Sequence, residues 1–190
     1  KKHPKYFQRS GSQLTLKSLH QFEKDTVLDD KAGDYGVKHK IHQFWPRHEM
    51  TMIKESAHEY WGTLLFVHKY GRLNRIPGKL ALSPSEQTFV SYNADIDAGF
   101  TENAVAIYDL NSYGVELSSK FVLKDFGVVG AEYLTENEVK LKTIFYSDDM
   151  NGYGRGECII QKQSKIWQFK TFTCKTLPSQ SKSEILINNR

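Results

Sequence analysis

Cysteine is scarce in this chain, two residues in 190, and there are only five prolines. No run approaches the ~18 consecutive apolar residues that a membrane-crossing helix requires, which excludes an integral membrane segment of that kind. Lys and Arg never cluster beyond Lys1-Lys2. A nucleic-acid binder needs a basic stripe interleaved with aromatics, so nucleic acid is excluded as the partner. The familiar catalytic spacings are missing as well. There is no G-x-S-x-G elbow. His48-Glu49 and His58-Glu59 lack the second histidine that a helical zinc site needs one turn later, because Met52 and Gly62 stand there. Gly152, Gly154 and Gly156 lead into a strand pattern, whereas a phosphate-cradling loop leads into a helix.

What is present is an ordinary hydrophobic share of 39%, a high aromatic share of 13%, and a net charge of +4. The length predicts a single domain over 1–190, with the polar opening 1–12 and the tail 176–190 loose or added at sheet edges. Charge is uneven: residues 1–75 carry 14 basic and 8 acidic side chains, and residues 76–190 carry 12 and 14. The chain opens on Lys1 rather than Met, which predicts removal of a leader or a cut. Cys158 and Cys174 form the only pair, each beside an alternating strand pattern. An even count in such a chain predicts a Cys158–Cys174 disulfide and a periplasmic or extracellular location. Closing that loop would contribute roughly 3 kcal/mol. Two buried free thiols are the alternative.

Short alternating or apolar runs separated by turn residues fill most of the chain: "LTLKSLHQF", "VKHKIHQF", "TLLFVHKY", "TFVSYN", "NAVAIYDL", "VKLKTIFYS", "ECIIQK" and "KIWQFKTF". Such runs predict a mainly β fold of antiparallel meanders, propeller-like or sandwich-like. One helix is expected near residues 46–61. Met50, Ile53, Ala57, Tyr60, Trp61 and Leu64 fall on one face at a 3.6-residue period, behind Pro46 at the first helical position. "EMTMIKE" within it also reads as a strand.

Two stretches resemble each other at an offset of 52: Leu82-Ser83-Pro84-Ser85 before "QTFVSYN", and Leu134-Thr135-Glu136-Asn137 before "VKLKTIFYS". A period near fifty suits a propeller blade or another β-meander unit. Residues 80–110, and less closely 132–162, resemble a blade of the WD40-like or TolB-like β-propeller repeat. In that repeat a small-Pro turn precedes a buried strand and an Asp-Leu pair ends the next. The resemblance implies antiparallel blade-like meanders. It departs from the family where Ser85-Glu86 replaces Asp-Gly, and no third copy is visible upstream.

Each copy contains an acidic loop. "NADIDAGFTENA" sets Asn93, Asp95 and Asp97 at positions 1, 3 and 5, as in a calcium loop, but Ala98 and Ala104 occupy the positions of its glycine and its final glutamate. Asp, Asn and Gly are also the ordinary residues of hairpin turns, and that is the expected role. A calcium site at Asp95, Asp97 and Glu102 is the alternative, and no other cofactor is expected. Aromatics near these loops, Phe100 and Tyr153 among them, cannot all be core. Together with Asp95, Asp97, Asp148 and Asp149 they make a candidate rim for another protein, and their charge points to a basic one. The expected function is therefore a non-enzymatic binding protein, such as an inhibitor or a toxin-neutralising immunity protein. An envelope hydrolase using carboxylates or histidines, and a structural β module needing a partner chain, are the alternatives.

Overall fold

The computed structural model describes residues 3–58, 61–96, 99–111, 114–147, 152–174 and 186–187. They form two compact units, Lys1–Ile76 with Ser112–Val115, and Pro77–Asn111 with Glu116–Arg190. Among the described residues the fold is strand and turn, with one 3₁₀ turn at His68–Tyr70 as its only helical element.

The first unit holds a three-stranded sheet, β1 (Phe7–Ser10), β2 (Gln13–Leu16) and β3 (Thr26–Asp29). It also holds a four-stranded meander, β4 (Lys38–Trp45), β5 (Met50–Ser56), β6 (Trp61–Val67) and β7 (Arg72–Ile76). Leu14 and Leu16 of the first sheet bury against Ile53, Leu64 and Phe66 of the second. The helix expected at 46–61 is not formed. Pro46 opens a hairpin turn in which Glu49 takes a left-handed backbone (φ 50), and Met50–Ser56 pairs on both sides as a central strand. Met50, Thr51, Met52 and Ile53 are all buried. A strand covered on both faces reads as an unbroken apolar run, and its spacing cannot be told from that of a helix.

Two polar devices tie the sheets of this unit together. His68 is fully buried. Its Nδ1–H donates to the Lys17 carbonyl at 2.7 Å and its Nε2 accepts from the Thr51 hydroxyl at 2.7 Å. With both nitrogens satisfied in an apolar site, burial holds the imidazole below its ordinary titration range, against the opposing pull of the Lys17 bond and Glu49. The second device is an alternating chain of charges. His39 lies between Asp30 (3.1 Å) and Glu55 (3.4 Å), and those carboxylates meet Arg9 (2.8 Å) and Arg75 (3.0 Å) respectively. The His39 N–H also donates to Asp30, and Arg9 donates to the His39 carbonyl. The open edge of β4 is thus capped at this point by side chains.

The second unit holds β8 (Lys79–Leu82), β9 (Thr88–Tyr92), β10 (Ala104–Asn111) and, from Glu116 on, β11 (Gly114–Val122). The short β16 (Leu186–Ile187) is added at the free edge of β11. Beside this sheet lies a four-stranded meander, β12 (Phe126–Thr135), β13 (Glu138–Ser147), β14 (Gly152–Gln163) and β15 (Ile166–Cys174). The 52-residue repeat maps onto this plan. Leu82–Ser85 closes the first strand of one meander and Leu134–Asn137 the first strand of the other, and Ile107 and Ile159 both fall on the third strand. The first copy, 80–110, thus covers the antiparallel strands β8–β10, and the second, 132–162, falls on β12–β14. The two turns also touch, since Glu136 accepts from the Ser85 N–H and hydroxyl, the latter at 2.7 Å.

Val90, Ile107, Phe121, Phe126, Leu141, Phe145, Ile160 and Trp167 are among the core residues of this unit. Cys158 joins them as a free, buried thiol, and burial raises its pKa to about 12. It is not half of the expected Cys158–Cys174 disulfide. The register sets Cys158 across from Phe172 and Cys174 across from Gly156. Such diagonal positions lie about 7–8 Å apart, beyond the Cα separation a disulfide normally bridges. The side chain of Cys174 lies outside the described residues.

Candidate partner-binding surface

Strand β13 shows how the surface arises. Val139, Leu141, Thr143 and Phe145 are all buried, so the period of two turns Lys140, Lys142, Ile144 and Tyr146 to the opposite face. The register with β14 then places Tyr146 beside Tyr153, Ile144 beside Arg155 and Lys142 beside Glu157. On β12, Val128 pairs with Thr143 and Gly130 with Lys142, which leaves Val129 as the extra residue of a bulge. A bulge re-aims its side chain, and Val129 is 41% exposed.

The result is a groove of about 770 Å³ whose walls include Val129, Lys142, Ile144, Tyr153, Arg155 and Glu157. Tyr153 lines it and packs against its neighbour Tyr146, each about half exposed, with their rings edge to face at 6.0 Å. Paired rings of this kind hold each other's orientation, so the aromatic edge is presented preformed.

The charges of this face are partly matched. Lys140 pairs with Glu157 at 2.8 Å and Lys170 with Glu138 at 3.2 Å. Lys142 and Arg155 have no carboxylate partner among the described residues.

The residues expected from the sequence distribute as follows. Tyr153 lies on the groove. Asp95 is buried in the loop between β9 and β10. One of its oxygens accepts from the Gly99 N–H (3.0 Å) and the other from the Thr101 N–H (2.6 Å) and hydroxyl (2.8 Å). Glu102 pairs instead with Lys120 at 2.5 Å. Among the described residues no three His, Cys, Asp or Glu side chains gather as metal ligands. Phe100, in the same loop, is 42% exposed. Asp97, Asp148 and Asp149 lie outside the described residues.

The ends of β9 and β13 lie at the same end of this unit. Val128, at the start of β12, donates to the Asn93 carbonyl, and Phe126 pairs with Phe145 at the end of β13. Gly127 is wedged against Ala94, whose Cβ would lie 2.5 Å from a side chain placed there.

The sequence reading missed Val129, Lys142, Ile144 and Arg155. The alternation in "VKLKTIFYS" carried a signal for Ile144, an aliphatic residue on the face of two lysines and a tyrosine. Nothing local announced the bulge that exposes Val129. The chain matches no family model, no curated protein and no solved structure.

Proposed function

We propose that this chain is a binding protein that captures another protein through the outer face of the β12–β15 sheet, in the manner of an inhibitor or an immunity protein. The observation that carries this reading is the half-exposed Tyr146–Tyr153 pair, with Tyr153 lining a groove together with Ile144 and Val129. Tyrosines are enriched among the residues that dominate interface energetics, because they bring large contact area at low entropic cost. A rigid sheet presents them without an ordering penalty, which favours affinity.

The test is capture by the immobilised wild-type protein and by the Tyr146→Ala/Tyr153→Ala variant. A stoichiometric protein partner held by the first and lost by the second is the expected result. Loss of one interface hot spot costs about 2 kcal/mol or more, enough to empty the column. A partner retained equally by both proteins would move the function away from this face. The Cys158–Cys174 disulfide, on which an exported location was expected, gives that location no support here, because Cys158 is a free thiol.

A further inference from the structure

The acidic loops of the sequence suggested a basic partner; the side-chain pairing suggests the reverse for the groove. Asp95 spends both oxygens on amides and a hydroxyl of its own loop. Glu102 is taken by Lys120, Glu138 by Lys170 and Glu157 by Lys140. Glu157 faces Lys142 in the register, yet its carboxylate closes on Lys140 at 2.8 Å. What remains in the groove is Lys142 and Arg155, two cations of adjacent strands with no acid of the described residues committed to them, beside Tyr153 and Ile144.

We infer that the groove takes an acidic segment of the partner, with a carboxylate set on Arg155 and Lys142 and a neighbouring aromatic or aliphatic side chain set against Tyr153, Tyr146 and Ile144. This rests on the binding-protein reading above and adds the chemistry of the partner. A guanidinium offers a planar fork of donors that matches a carboxylate bidentately. Charge complementarity of this kind selects among partners and speeds encounter. The same groove is too sparsely basic for a nucleic-acid strand, which requires a cationic track along several phosphates. Two cations suit one or two carboxylates.

Selection from a phage library of random dodecapeptides tests the inference, using the wild-type protein with the Tyr146→Ala/Tyr153→Ala variant as counter-selection. The expected winners combine Asp or Glu with an aromatic or aliphatic anchor. Arg155→Glu and Lys142→Glu should each weaken the synthetic winner by about tenfold or more, since like charges then face each other. Both positions lie on the outer face, and circular dichroism and thermal melting confirm that the variants are folded. Winners that are basic or neutral but depend on the tyrosines would overturn the acidic assignment and leave the groove as a binding face. No enrichment over the tyrosine variant would sink the binding reading itself. A random single-stranded DNA dodecamer that binds and is released by Arg155→Glu would overturn the peptide assignment in favour of nucleic acid.

Discussion

Asp95→Asn separates two roles for one carboxylate. In the fold, one oxygen of Asp95 serves Gly99 and the other serves both donors of Thr101, at distances from 2.6 to 3.0 Å. Asparagine keeps the size but has a single acceptor oxygen. Whichever way its amide is turned, the NH₂ group meets either the Gly99 N–H or the two donors of Thr101. The less damaging orientation keeps Thr101 and forfeits Gly99. Hydrogen bonds to a charged group contribute about 1.5–3 kcal/mol, and Gly99 is exposed, so water can take up its freed N–H. The expected loss is therefore about 1.5–3 kcal/mol. For a chain of this length that lowers Tm by roughly 5–10 °C, at about 2–4 °C per kcal/mol. The assay is thermal melting followed by circular dichroism, with and without millimolar calcium. The variant should melt lower, and neither protein should respond to the ion. A calcium ion held at one hundred times its dissociation constant would instead add about 2.7 kcal/mol to the wild type. A rise of several degrees in wild type that Asp95→Asn abolishes would refute the loop-staple role, as would a variant that melts with the wild type.

Thr51→Val deprives the buried His68 Nε2 of the donor it has among the described residues and should cost about 1–3 kcal/mol in urea unfolding; an unchanged midpoint would contradict the bond. Because burial depresses the His68 pKa in the fold, the unfolded chain takes up this proton first. The stabilisation is then complete above the ordinary value of 6.5 and is lost as pH falls through the depressed folded value. Imidazole NMR titration should accordingly place the His68 pKa below 6.5, with the proton of the neutral ring on Nδ1. Thiol titration without reductant should count two thiols in denaturant and leave Cys158 unreactive in the native protein, where its pKa is about 12; a count of zero in denaturant would establish the disulfide instead.

The candidate surface was legible in part. Tyr153 could be singled out because an aromatic beside a glycine-rich acidic turn is poorly placed for the core. Tyr146 and Ile144 follow from alternation once Phe145 is taken as buried. Arg155 had no local mark. Its interest comes from the absence of a committed acid, and that depends on Glu157 closing on Lys140 rather than on Lys142 across the ladder.

The sequence by itself determined the strand-and-turn character and the repeated meander. Side-chain alternation and turn chemistry act over two to five residues and are written directly in the chain. The strands on either side of "QKQSK" meet in a two-residue turn with Ser164 and Lys165 both at positive φ. Only the tertiary structure decided that Met50–Ser56 is a strand, because burial on both faces depends on what lies above and below a segment. Only it decided that Cys158 faces Phe172, since one residue of register changes every partner across a ladder. It also decided which acids are spent and which cations are left, because an ion pair forms between whichever side chains the fold brings within about 4 Å, however far apart they stand in the chain.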